Sequence, residues 1–88
     1  MSTSGPDEFR EWRLRRARGV IEEYVRGVKK RASDINWVIG VLKGHFGVSK
    51  EEALAVIESI KNDRSLILTE ERIKRLEELR KKIEPMSW

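Results

Sequence analysis

The stretch Phe46-Gly47-Val48-Ser49-Lys50-Glu51-Glu52 decides how this chain folds. Gly47 can adopt the left-handed backbone that stops a helix, because it has no Cβ to clash with the following carbonyl. Ser49 followed three residues later by Glu52 is a capping box, in which each side chain satisfies a backbone N–H that a starting helix leaves open. One helix therefore ends and another begins within seven residues. The turn between them is too short to hold any other structure.

Working outward, Ser33 or Asp34 can cap the preceding helix, expected near residues 34–45, with Ile35, Val38, Ile39 and Leu42 facing inward. Gly40 and Gly44 form a small-xxx-small pair on it. The segment is too short to span a bilayer, so the pair reads as close packing against a neighbouring helix. The following helix, near 50–62, places Ala53, Leu54, Ile57 and Ile60 on one face. Ser65-Leu66-Ile67-Leu68 is a short apolar run, either a strand or a buried connector. Thr69 with Glu70 and Glu71 then opens a last helix near 70–84, with Ile73, Leu76, Leu79 and Ile83 inward. Arg80, Lys81 and Lys82 complement the negative end of its dipole, Pro85 stops it, and 85–88 form a tail.

At the other end, residues 1–5 are expected to be flexible. Pro6 suits a first helical turn capped by Ser4 or Gly5 and supported by Asp7, Glu8 and Glu11. That helix is expected near 6–32. Its later half carries an apolar stripe of Ala17, Val20, Ile21, Tyr24, Val25 and Val28, while Phe9 and Trp12 fall roughly a quarter turn or more away. Gly19, where the phase changes, and Gly27 each mark a kink or a tight approach. Either the helix curves around its own core, or Phe9 and Trp12 are presented to a partner. The fold class is thus all-α, a bundle of about four helices in a single domain over residues 6–84, since 88 residues support one core.

Composition narrows the partners. With no cysteine, disulfides, thiol chemistry and cysteine-based zinc sites are excluded. Residues 1–48 carry ten Lys or Arg against six Asp or Glu, and residues 49–88 carry nine of each, so the net charge of +4 comes from the first half. No apolar run reaches membrane-spanning length, and the opening residues lack a basic-then-apolar signal pattern, so a cytoplasmic location, compatible with nucleoid association, is expected. The absence of Gln and the density of Glu, Lys and Arg match a bias of hyperthermophile proteins, pointing to a thermophilic source.

The stretch from Ile39 through Leu68 resembles the central unit of helix-turn-helix and winged-helix proteins over about half the chain, around Phe46-Gly47-Val48-Ser49 and the Leu68-Thr69-Glu70-Glu71 that opens a later helix. The resemblance implies a DNA-associated protein whose third helix is the recognition helix. The residues between Asn62 and Thr69 leave no room for a two-stranded wing. The expected outward face of helix three, Glu51, Glu52, Ala55, Ser59 and Asn62, is acidic, with Glu58 at its margin and with Lys50 and Lys61 as the local cations near its buried side.

Two functional readings follow. In the first, the protein binds DNA or RNA phosphates through helix one, using Arg10, Arg13, Arg15, Arg16, Arg18, Arg26, Lys29, Lys30 and Arg31, with Trp12 able to stack on a base. In the second it is an accessory subunit docking on a larger nucleic-acid machine, such as a replication or transcription complex, through Phe9, Trp12, Glu51, Glu52, Ala55, Ser59 and Trp88. Trp88 is either an exposed hot spot or a side chain folded back onto helix four. A homodimer fits both readings. Enzyme chemistry is not expected, because His45 is the single histidine and no Gly-rich phosphate loop or metal-ligand spacing occurs. The paired glutamates at 22 and 23, 51 and 52, 70 and 71, and 77 and 78 read as surface ion-pairing partners of nearby Lys and Arg, and no cofactor, metal or membrane is expected.

Overall fold

A computed structural model describes residues 6–27, 34–63 and 68–88. Four helices follow one another: α1 (Pro6–Arg26), α2 (Ile35–Gly40, continued by a π-helical turn over Val41–His45), α3 (Lys50–Lys61) and α4 (Glu70–Ile83). No strand occurs among the described residues, and no helix there is long and apolar enough to cross a membrane. The fold class is all-α. Residues 1–5, Val28, Ser33 and most of the 65–68 run lie outside the described residues.

Local chemistry places the helix starts. Asp34 accepts from the N–H of Asn36 at 3.0 Å, and Thr69 accepts from Arg72 at 3.2 Å. Both halves of the capping box form, with Glu52 N–H donating to Ser49 Oγ at 3.1 Å and Ser49 N–H to Glu52 Oε1 at 3.0 Å. These bonds satisfy donors that have no partner within the helix, each contributing about 1 kcal/mol.

The helix ends differ more from expectation. α1 stops at Arg26, five or six residues early, because Gly27 turns left-handed at φ 68°. Its N–H still bonds Glu23 O at 3.1 Å, closing the last turn. α2 ends wide: Phe46 N–H bonds Val41 O at 3.0 Å and Val48 N–H reaches Leu42 O at 2.9 Å, before Gly47 reverses the chain at φ 61°.

The core is drawn from all four helices and the turn. α1 gives Ala17, Ile21, Tyr24 and Val25; α2 gives Val38, Ile39 and Leu42; Val48 plugs the turn; α3 gives Ala53, Ile57 and Ile60; α4 gives Leu76, Leu79 and Ile83. α1 crosses α2, α3 and α4, and α3 also packs on α4. Val20, Ile35 and Leu54 border this core and are half-buried. Burial raises the pKa of the Tyr24 phenol, helped by the Glu78 carboxylate nearby and opposed by Arg75.

Three packing expectations are corrected. Ile73 is 39% exposed, because the buried side of α4 is centred between Leu76 and Leu79, which leaves Ile73 about a quarter turn away and brings the half-buried Arg72 to that line instead. Among the described residues, Gly40 and Gly44 pack against no neighbouring helix. Both are exposed, and a Cβ on either would meet nothing within 4 Å. Gly19 likewise faces open space, so no neighbour needs its missing side chain.

Gly27 is different: besides its positive φ, its Cβ would fall 1.5 Å from Arg75 Nη1, a guanidinium that reaches the Tyr24 carbonyl at the end of α1. Gly19→Ala should therefore raise unfolding free energy by about 0.5–1 kcal/mol, by removing backbone freedom from the unfolded chain. Gly27→Ala should lower it by about 1–2 kcal/mol, through left-handed strain and displacement of Arg75. Urea unfolding of the two variants beside the parent checks both signs.

Candidate nucleic-acid interface

The arginines of α1 divide according to where the helix lies. Stepping 100° per residue from Ala17, Arg10 and Arg13 fall on the same side as the apolar stripe. There α1 runs beyond the core and passes over the start of α3 and the turn before it. Arg10 Nε donates to Glu52 Oε2 at 2.8 Å. Arg13 Nη1 donates to Gly47 O at 2.9 Å and to Phe46 O at 3.2 Å, carbonyls at the C-terminal end of α2. A cation is favoured there by the helix dipole as well as by the open acceptors. Its Nε is buried without a hydrogen-bond partner, a cost offset by those two bonds.

One turn further along, Arg18 bonds Glu22 at 2.7 Å, reaches Ser59 Oγ at 3.2 Å and pairs with Asp63. The hydrogen bond to Glu22 is the main reason its guanidinium pKa is raised, and Asp63 adds to it.

The other face of this pairing corrects the view of α3. The side expected to face outward is exposed at Glu51, Ala55, Ser59 and Asn62, with Glu52 half-buried, but α1 runs along its Glu52–Val56–Ser59 edge. Glu52 and Ser59 are held by Arg10 and Arg18, while Glu51 and Ala55 are exposed along the rim of the same α1–α3 groove, whose floor is Leu14 and Val56. Asn62 and Glu58 stay exposed. Lys50 donates to Met86 O at 3.0 Å, and Lys61 pairs with Glu77 at 3.4 Å, so each ties α3 to the C-terminal part of the chain. Trp88 is folded back and half-buried, but onto the turn, where its indole N–H donates to Val48 O at 2.9 Å.

Glu52 gains from this arrangement. Its bond from the Ser49 N–H, and then the Arg10 guanidinium, hold its carboxyl below the usual glutamate range against a smaller opposing effect of burial. Glu77 is lowered in the same direction, first by Arg80 and then by Lys61. Among the paired glutamates, Glu22 and Glu71 make i,i+4 bridges to Arg18 and Arg75, as helical spacing allows, whereas Glu52 makes a long-range one.

What remains open on α1 is a second arginine set and the aromatics. Arg15, Arg16 and Arg26 are exposed, and none forms an ion pair with a described residue. Phe9 and Trp12 are 61% and 46% exposed, stacked at 6.2 Å between ring centroids with an interplanar angle of 18°. Arg16 lies over the Trp12 ring and Arg13 over Phe9, each at 5.4 Å. Across from them His45 and Phe46 meet edge to face at 4.8 Å, at the end of the π-helical turn. Phe9, Trp12, Arg13, His45, Phe46 and Gly47 line an open groove of about 450 Å³. His45 and Phe46 were not singled out for binding by sequence; the wide helix end that brings them to α1 has no local signature.

Lys29, Lys30 and Arg31 lie outside the described residues. No group of three or more potential metal ligands gathers among the described residues. Comparison with protein-family models, curated proteins and solved structures finds no match to this chain.

A carboxylate with a lowered pKa stabilises the folded state above the ordinary glutamate range, and that contribution is lost as pH falls through the range toward its folded value. Unfolding free energy should therefore fall on acidification from about pH 7 to about pH 3. Glu52→Gln should be less stable at neutral pH and lose less on acidification. Denaturant unfolding across that range checks both, and an acid loss as steep as the parent's would remove Glu52 from this role.

Proposed function

We propose that this protein is a small, non-enzymatic nucleic-acid-associated protein that holds phosphates with the exposed arginines of α1. The observation that carries the reading is the division of those arginines. Arg10, Arg13 and Arg18 are engaged within the fold, and Arg15, Arg16 and Arg26 are exposed without a described carboxylate partner. Arg15 and Arg26 lie almost on one line of the helix, about 16 Å apart. Exposed, unpaired guanidinium groups are suited to contacts that release counterions from a polyanion.

Reading through α3 is disfavoured on the same grounds. In the helix-turn-helix mode the recognition helix enters the major groove, whereas α3 is flanked by α1 along Glu52 and Ser59, and its exposed Glu51 and Glu58 oppose phosphate. The turn acts here as architecture. A second reading, docking as an accessory subunit of a larger nucleic-acid machine, is favoured by the α1–α3 groove. Its apolar floor of Leu14 and Val56 is rimmed by both signs of charge, which suits a protein surface better than a phosphate chain.

Three phosphate contacts give an affinity that falls with salt at a log–log slope between about −2 and −3. Replacing Arg15, Arg16 and Arg26 together by Ser should flatten that slope and leave the melting temperature within a few degrees of the parent, since all three are exposed. Arg13→Ala should instead lower stability by about 1–2 kcal/mol. Anisotropy titrations over a salt series, with thermal melts of the same samples, check this. Absence of binding to DNA or RNA at low salt would overturn the proposal and leave the docking reading.

A further inference from the structure

The geometry points to the groove between Phe9, Trp12, His45 and Phe46 as a pocket for an unpaired base, which makes single-stranded nucleic acid the ligand. This inference rests on the phosphate-binding reading of α1 and adds to it the form of the strand. Three observations lead to it. The groove is walled by rings on both sides, the Phe9–Trp12 stack on α1 and the His45–Phe46 pair at the end of α2, and is about 450 Å³. A flat base can enter such a space face-on, as base–aromatic stacking requires, and stacking tolerates any base because every base has a π face. In a duplex those faces are already covered by neighbouring base pairs, so the exposed rings would have only edges and sugars to touch.

The second observation is charge. The cations next to the rings are Arg16, over Trp12, and Arg13, over Phe9. Arg16 is exposed and pairs with no described carboxylate. Aromatic rings flanked by cations complement a chain in which bases alternate with phosphates. The third is that the groove can receive a ligand without disturbing the fold: Phe9 and Trp12 lie outside the buried core, and the Arg13 that crosses behind them is held by backbone carbonyls. Their exposure follows from α1 extending past the core, where the apolar stripe gives way to Arg10 and Arg13.

The strand lies with a base between the two ring pairs and a flanking phosphate toward Arg16. DNA and RNA share this chemistry, and the 2′-hydroxyl is what distinguishes them.

The test titrates the full chain with labelled oligonucleotides of one mixed sequence in three forms: single-stranded DNA, single-stranded RNA, and the DNA duplex. Expected is single-strand affinity on the order of tenfold or more above duplex at equal salt. Phe9→Ala with Trp12→Ala should reduce single-strand affinity by about tenfold or more, leave duplex affinity unchanged, and melt near the parent. Trp12→Phe, which keeps a ring, should retain most of the affinity. Equal affinity for single strand and duplex, or no loss in the double variant, would overturn the inference while leaving phosphate binding intact. No binding to any of the three forms would overturn the phosphate reading and this inference together. The ratio of DNA to RNA affinity then assigns which strand is held.

Discussion

Three successive backbone carbonyls, those of Phe46, Gly47 and Val48, hold this structure together. They lie where α2 ends, and a helix end leaves its last carbonyls without intrahelical partners. Arg13 donates to the first two from α1, and the Trp88 indole donates to the third from the C-terminus. Lys50 adds a bond from the first residue of α3 to the carbonyl of Met86. Segments from both ends of the chain thus meet on a turn of a few residues. The turn also carries the buried Val48, so its conformation fixes both a polar and an apolar contact. The second positive-φ glycine repeats part of the pattern, with Arg75 reaching from α4 to a carbonyl at the end of α1.

Once Arg13 is anchored there, the course of α1 is set, and the rest of the surface follows. The helix must pass over the start of α3, which brings Arg10 to Glu52 and Arg18 to Ser59 and Asp63. The acidic face of α3 therefore complements α1. The first turns of α1 then extend beyond the core, leaving Phe9 and Trp12 facing the end of α2. Arg10 and Arg13 on the core side of α1, and Arg18 on the flank beside α3, are held by the fold, while Arg15, Arg16 and Arg26 pair with no carboxylate among the described residues.

Much of this was legible locally. The capping box at Ser49 and Glu52, the caps at Asp34 and Thr69 and the stop at Gly47 depend on residues within one or two turns, and each formed. Most of the inward residues also follow from period alone. What periodicity does not reveal is which neighbour covers a face. The polar side of α3 is solvent-facing at Glu51, Ala55 and Ser59 as its pattern indicates, yet an arginine-bearing helix can still engage the edge of such a side, as Arg10 does at Glu52 and Arg18 at Ser59. The signal was present in Arg10 and Arg13, which continue the line of Ala17 and so sit where a core-facing residue belongs. A cation there needs acceptors on the opposing element. Gly40 and Gly44 misled in the opposite sense, since small residues permit close packing but do not require it. The stop at Gly27 competed with a continuing apolar stripe, and backbone conformation prevailed.

The central claim is that the aromatic groove between α1 and the end of α2, and not α3, is the surface that meets nucleic acid. NMR titration of the isotopically labelled protein with a short single-stranded oligonucleotide tests it most directly. The account predicts shifts at the Trp12 indole and at the amides of Phe9, Arg16, His45 and Phe46, with Glu51, Ala55 and Ser59 unmoved. Shifts concentrated on α3, with the Trp12 indole unchanged, would contradict it.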